Sequence, residues 1–257
     1  PGTTVSNLLQ TLAVVLGVAL VAAAIVLLKG RFFPVPEDAE PREDVAEYIA
    51  MMVGVLYALV LGLSMVSVWE IHSGALNHSQ DEAGALHQTY LLADLLPPDR
   101  RDALRTTATA YAVQVVHAEW PRMAAREPLG PDGWGLLNQL RTVSQASSQD
   151  DTPTQQNASQ EMLAVLTTLD DARRGREASA MSSLSTVLWV GLVIGGTLTV
   201  AFMFLFGIKR SATHVVMVMG LTGLIAFTIL LIQQLDAPFD GFLAVTPQAF
   251  TRYFPFV

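Results

Sequence analysis

The chain contains no cysteine. That excludes disulfides, a thiolate nucleophile and any thiolate-ligated metal. Charge is scarce: 15% of residues are charged, where soluble domains carry about 25%. Basic residues are scarcer than acidic ones, and the net charge of −8 argues against nucleic acid as a partner, because such a partner selects a basic face. Catalytic signatures are missing too: there is no P-loop, no G-x-S-x-G and no H-E-x-x-H. Among the histidines only His72 and His78 lie close together, and their spacing does not put them on one helix face. Glu82 and His87 are no better placed. No metal, no cofactor and no enzymatic activity are expected. No cleavable signal is expected either, since the first apolar run has no basic stretch before it and no A-x-A site after it.

What the chain has in excess is apolar residues, 51% of the total, gathered into four runs. A membrane-spanning helix needs about 20 of them in succession. The sequence therefore predicts an all-α membrane protein with four transmembrane helices: about 8–28 and 48–69, then about 184–208 and 215–235. Residues 70–182 make the one sizeable polar region, and 236–257 form a C-terminal tail rich in Phe. Gly54, Ala58 and Gly62 share one face of the second span, and Gly191 and Gly195 share one face of the third. Small residues of this kind let helices approach closely in lipid.

The second span does not end where its apolar character does. After Trp69-Glu70 no proline occurs until Pro97, and residues 76, 79, 83, 86, 90 and 93 repeat at helical spacing. One rod from Tyr48 to Leu96 is predicted, half in lipid and half in water. Leu104, Ala108, Tyr111, Val115 and Ala118 define an amphipathic helix from Asp99 to Trp120, which Pro121 is expected to end. A short helix near Trp134–Val143 follows. Residues 144–160 are almost devoid of apolar side chains and are expected to be a mobile loop. The pattern resumes at Met162, Val165, Leu169 and Ala172 and runs toward the third span. The region holds too few apolar residues for a large core. A helical extramembrane bundle built on extensions of spans two and three fits it better.

Lys29, Arg31, Arg42, Lys209 and Arg210 fall in the two short loops, while neither the segment before the first span nor residues 70–99 carry any Lys or Arg. The positive-inside rule then puts the short loops in the cytoplasm and the helical region outside, although Arg173, Arg174 and Arg176 run against that assignment. The composition fits a multi-pass membrane protein.

Charge at the membrane edge is the remaining functional signal. Glu70 follows the second span and Asp236 the fourth. The two spans run the same way, so both acids sit at the same membrane face. Asp236 stands at a helix C-terminus, where the dipole disfavours an anion. In a symmetric oligomer such acids form rings that concentrate cations, and Asp81 and Glu82 would form a second ring further along the rod. Ser64 and Ser67 add a polar edge to the same ion pathway. Trp69 is either an interfacial anchor or a gate. The plainer alternative is that the acids pair, cap or face water.

The stretches YALVLGLSMVSVWE, DEAGALHQTYLLADLLP, HAEWPRM, LWVGLVIGGTLTVAFMFLFG and LDAPFDGFLAVTPQAF resemble a bacterial four-span family known as bestrophin-like domain proteins, of unknown function. Trp69-Glu70 and Asp236-Pro238-Gly241 are the most specific pieces. The resemblance implies kinship with bestrophins, pentameric ion channels whose pore is lined by the second of four spans. No bestrophin pore or calcium-site motif is visible, so no pore residue is carried over. Bestrophins also keep their large helical part in the cytoplasm, the opposite of what the basic residues indicate here. Two functions are expected in competition. One is a homo-oligomeric, cation-conducting channel that passes inorganic ions across the bilayer. The other is a non-conducting membrane protein whose helical region binds a partner or senses the cell envelope. A rod stripe (Ala83, Leu86, Tyr90, Ala93) satisfied within one subunit would remove the need for axial assembly.

Overall fold

The computed structural model describes residues 13–14, 16–18, 20–21, 24–25, 28, 43–146, 151–205 and 212–256. Among these every regular element is helical. The helices are α1 (Glu43–Leu92), α2 (Pro98–Val113), α3 (Trp120–Ala124), α4 (Asp132–Gln145), α5 (Pro153–Met181), α6 (Thr186–Leu205), α7 (Ala212–Leu235) and α8 (Gln248–Tyr253). A 3₁₀ turn, Ala93–Leu95, follows α1, and a π-helical turn, Gln114–Glu119, joins α2 to α3. Among the described residues three helices are long and apolar enough to cross a membrane: α1, α6 and α7. The chain is a membrane-embedded protein. About half of the expected first span lies outside the described residues, and the described positions between 13 and 28 are helical. The end of the expected third span, 206–208, also lies outside them.

The chain divides into two compact units. Unit 1 is Pro1–Trp69 with Ser183–Asp236, and unit 2 is Glu70–Ser182 with Ala237–Val257. In unit 1, Val68, Leu184, Leu192, Ile232 and Leu235 form a small buried cluster. Tyr57 lies so close over Gly195 and Gly196 that a Cβ on either would collide with its ring or hydroxyl. A Cβ on Gly54, Gly62 or Gly191 would meet none of the described residues within 4 Å beyond its own helix. Large apolar side chains such as Leu56, Leu63, Val66 and Val187 point outward, as lipid permits and water does not.

Unit 2 has an ordinary interior by contrast. Leu86, Leu104, Leu137, Leu140, Met162 and Leu166 are fully buried, and the tail adds Phe239, Phe250 and Phe254. The indole of Trp120 donates to the Val245 carbonyl (3.1 Å) and meets the rings of Phe239 and Phe250 edge-on. The Phe-rich tail is thus core to unit 2.

Two sequence expectations need correction here. Residues 144–160 are not a loop throughout: α4 runs to Gln145 and α5 begins at Pro153. Thr152 accepts from the Gln155 N–H while the Gln155 side chain accepts from the Thr152 N–H, a capping box with Pro at the first helical position. That local chemistry outweighs the low apolar content, and 147–150 lie outside the described residues. Pro121 does not end its helix. The preceding π turn widens the hydrogen-bond register, and the chain continues helically through Pro121 to Ala124.

Candidate functional site

The second half of α1 sets the site. Its buried face carries Ala75, Ser79, Glu82, Ala83, Leu86 and Thr89, and Ala93 in the 3₁₀ turn continues it. The serine and threonine hydroxyls are satisfied by donating to carbonyls one turn back. Glu82 has no such recourse: it lies three residues after Ser79 and four before Leu86, so helical periodicity forces its carboxylate inward, and it is 0% exposed. An isolated carboxylate there would cost several kcal/mol. Partners come from two other helices.

On α5 the buried stripe of Met162, Val165, Leu169 and Ala172 continues into Arg173 and Arg176, both fully buried. The Arg176 guanidinium holds Glu82 in a bidentate pair, Nε to Oε2 at 2.5 Å and Nη2 to Oε1 at 3.0 Å. Tyr111 of α2 donates its hydroxyl to Glu82 Oε1 at 2.6 Å. The π turn brings a second carboxylate, Glu119, 1% exposed, to the same place. Arg173 grips it with Nη2 to Oε1 at 2.7 Å and Nη1 to Oε2 at 3.1 Å, and Arg176 Nη2 donates to Oε2 at 2.8 Å. Arg173 Nη1 also donates to the Tyr111 oxygen at 3.1 Å. Two buried cations thus face two buried anions. Aromatic faces complete the enclosure, Trp134 lying 5.0 Å from the Arg173 guanidinium carbon and Trp120 5.7 Å from that of Arg176. Gly133, at the start of α4, touches the Glu119–Arg173 pair so closely that a Cβ would collide with it.

The electrostatics follow. Burial and the Glu82 charge push the Tyr111 hydroxyl well above its ordinary value, so it stays a donor. Burial works to raise the Glu119 carboxyl, but the hydrogen bond from Arg173 and the charges of Arg176 and Arg173 outweigh it and hold it low. Burial likewise opposes both guanidinium charges, and the surrounding oxygens of Tyr111, Glu119 and Glu82 overcome it. Glu177 stands at the rim, its Oε1 in an ion pair with Arg173 Nη2 at 3.0 Å and its Oε2 accepting from the Trp134 indole. Burial raises its carboxyl despite them. Arg173 Nε and Glu177 Oε1 have no hydrogen-bond partner among the described residues, but every oxygen of Glu82 and Glu119 accepts from Tyr111, Arg173 or Arg176, which leaves those two carboxylates no vacancy for a metal. Among the described residues no group of three His, Cys, Asp or Glu is placed to hold one. What the cluster does is fix three helices in one register.

The acids expected around a pore therefore separate. Glu82 is corrected: it belongs to the buried network and cannot line a water-filled path. Asp236 is corrected as well. It is 6% exposed and accepts the Leu184 N–H at 2.5 Å and the Trp189 indole N–H at 3.4 Å. The anion disfavoured by the end of its own helix is stabilised beside the start of α6, where the dipole is positive. Ser64 is buried and donates to the Val60 carbonyl, so it contributes no open polar edge. Ser67, Trp69, Glu70 and Asp81 are exposed. Glu70, Asn77, Asp81 and Gln88 recur at intervals of seven, four and seven on α1, and all four are exposed, opposite the buried stripe. Three of the four stripe residues are buried within one chain, Ala83, Leu86 and Ala93 at 0% exposed, while Tyr90 is half-buried.

Three apolar helices of spanning length and a helical unit ordered around buried ion pairs define an integral membrane protein of the all-α class. The family model for the Bestrophin-like domain matches residues 16–250, and the chain belongs to that family. No curated protein and no solved structure matches it.

Proposed function

We propose that this protein is a homo-oligomeric ion channel whose α1 helices surround a common axis, selective for cations. Four spans cross the inner membrane of a bacterium, the first near 8–28. Unit 2 is the extramembrane helical bundle, and the short basic loops face the cytoplasm. No reaction is proposed. Family membership supports conduction. The observation that carries the assignment of the path is the exposed strip of α1, in which two carboxylates, Glu70 and Asp81, alternate with the amides of Asn77 and Gln88. Facing an axis, repeated by symmetry, it would draw cations. Ser67 belongs to the same path, and Trp69 stands at its membrane edge as anchor or gate. Current across a planar bilayer under a salt gradient tests the reading. The account expects a reversal potential on the cation side that moves toward zero in Glu70→Gln. Silence across voltage, pH and calcium would remove it.

A second reading has its own observation. Because most of the apolar stripe of α1 is already buried in a single chain, unit 2 needs no axial copy to satisfy it. A non-conducting protein that uses unit 2 to bind a partner or sense the envelope fits that fact equally. Crosslinking between single cysteines at Asp81 separates the two, since only an axial assembly brings these positions together.

A further inference from the structure

Unit 1 contains a cavity of about 490 Å³ lined by Val18 and Val21 of the first apolar run, Gly196 and Val200 of α6, and Thr222 and Ile229 of α7. Its volume falls in the range of small-molecule sites, roughly 300–1,000 Å³. None of its described lining residues is charged. Two hydroxyls break the pattern of the surrounding helices. Ser64, Thr197, Thr199 and Thr228 each donate to a carbonyl one turn back. The Thr222 hydroxyl, on a residue 5% exposed, has no partner among the described residues, and neither has that of Tyr57, 6% exposed. Thr222 lines the cavity; Tyr57 does not line it, but its hydroxyl packs against Gly196, which does. A polar group left unbonded in an apolar surround is costly, and one in the cavity wall and a second packed behind Gly196 supply the donors and acceptors that a bound molecule lacks in lipid.

We infer that this cavity binds an uncharged, membrane-dissolved hydrocarbon molecule carrying a hydrogen-bonding oxygen, which Thr222 and Tyr57 engage. The site is independent of ion conduction. An ordinary acyl chain would fill the space and leave both hydroxyls unbonded. A charged head group would find no counter-charge.

The test uses the full chain in lipid nanodiscs with a diazirine-bearing hexadecanol as probe. Mass spectrometry is expected to find label on the α6 segment around Gly196 and the α7 segment around Thr222. Unlabelled hexadecanol should compete about tenfold better than hexadecane, the scale of one hydrogen bond. Thr222→Val, which keeps the shape and removes the hydroxyl, should erase most of that advantage without lowering the melting temperature, and Tyr57→Phe should erase part of it. Equal competition by the two hydrocarbons, or label spread evenly over the spans, would overturn the inference by showing ordinary lipid in the groove. Disulfide-linked dimers of Thr197→Cys chains that block labelling would overturn it as well, with a second copy as the occupant.

Discussion

The two units bury charge differently. In unit 1 the hydroxyls of Ser64, Thr197, Thr199 and Thr228 close on their own helix and Asp236 is the buried acid. The largest apolar side chains of unit 1 point outward. Unit 2 places four full charges in its interior and matches each one. The difference teaches what each solvent demands. In lipid, outward apolar surface costs nothing, and a helix needs little from its neighbours beyond close approach, as where Tyr57 covers Gly195. In water, the apolar side chains of unit 2 must be buried, and a network of paired charges chooses one packing among the several that greasy helices allow.

Substitutions that unbalance the network should therefore damage unit 2 far more than unit 1. The largest effect is expected for Arg176→Met, which leaves Glu82 without its bidentate partner. A loss of about 3–5 kcal/mol is expected, read as early hydrogen exchange across α2, α4 and α5 while α6 and α7 stay protected. Equal exchange in both units would break the comparison. Acid acts next. Glu119 sits below the ordinary glutamate value of 4.5, so its contribution is complete above that value and lost as pH falls through the lower folded value. Glu177, raised by burial, has the opposite sign: it favours the folded state below the ordinary value and loses that contribution as pH rises through its own. Melting followed by circular dichroism should show unit 2 weakening below about 4.5, with Glu119→Gln flattening that dependence. Tyr111→Phe removes one of the bonds to Glu82 and should cost about 1–3 kcal/mol with no change in pH slope. Thr152→Ala removes the cap of α5 and should cost about 1 kcal/mol, the smallest effect, with early exchange confined to the first turn of that helix.

Much of this arrangement was legible in the residues, and the failures are instructive. The rod expected from Tyr48 to Leu96 is α1, Glu43–Leu92, with a 3₁₀ turn after it, because a run without Pro before Pro97 keeps every backbone N–H available to the helix and its isolated glycines are tolerated. Glu82 falls in register with that rod's stripe, and Arg173 and Arg176 extend the stripe on α5, so the burial of all three followed from periodicity. Their pairing did not, since it depends on which stripes meet. Glu119 was hidden more deeply: the π turn that carries it inward has no sequence signal of its own. Asp236 was read against its own helix, and only the fold reveals the Leu184 N–H that stabilises it. The start of α5 was legible in Thr152-Pro153-Thr154-Gln155 and was masked by the polar composition around it.

Asp81 and Glu82 are neighbours to which the account gives opposite roles, and comparing them tests it most directly. Reversal potential and thermal stability should be measured together for Asp81→Asn and Glu82→Gln in the full chain. The account predicts that Asp81→Asn moves the reversal potential toward zero at unchanged stability, while Glu82→Gln lowers stability and leaves selectivity alone in whatever protein remains folded. A selectivity change in Glu82→Gln with none in Asp81→Asn would contradict it.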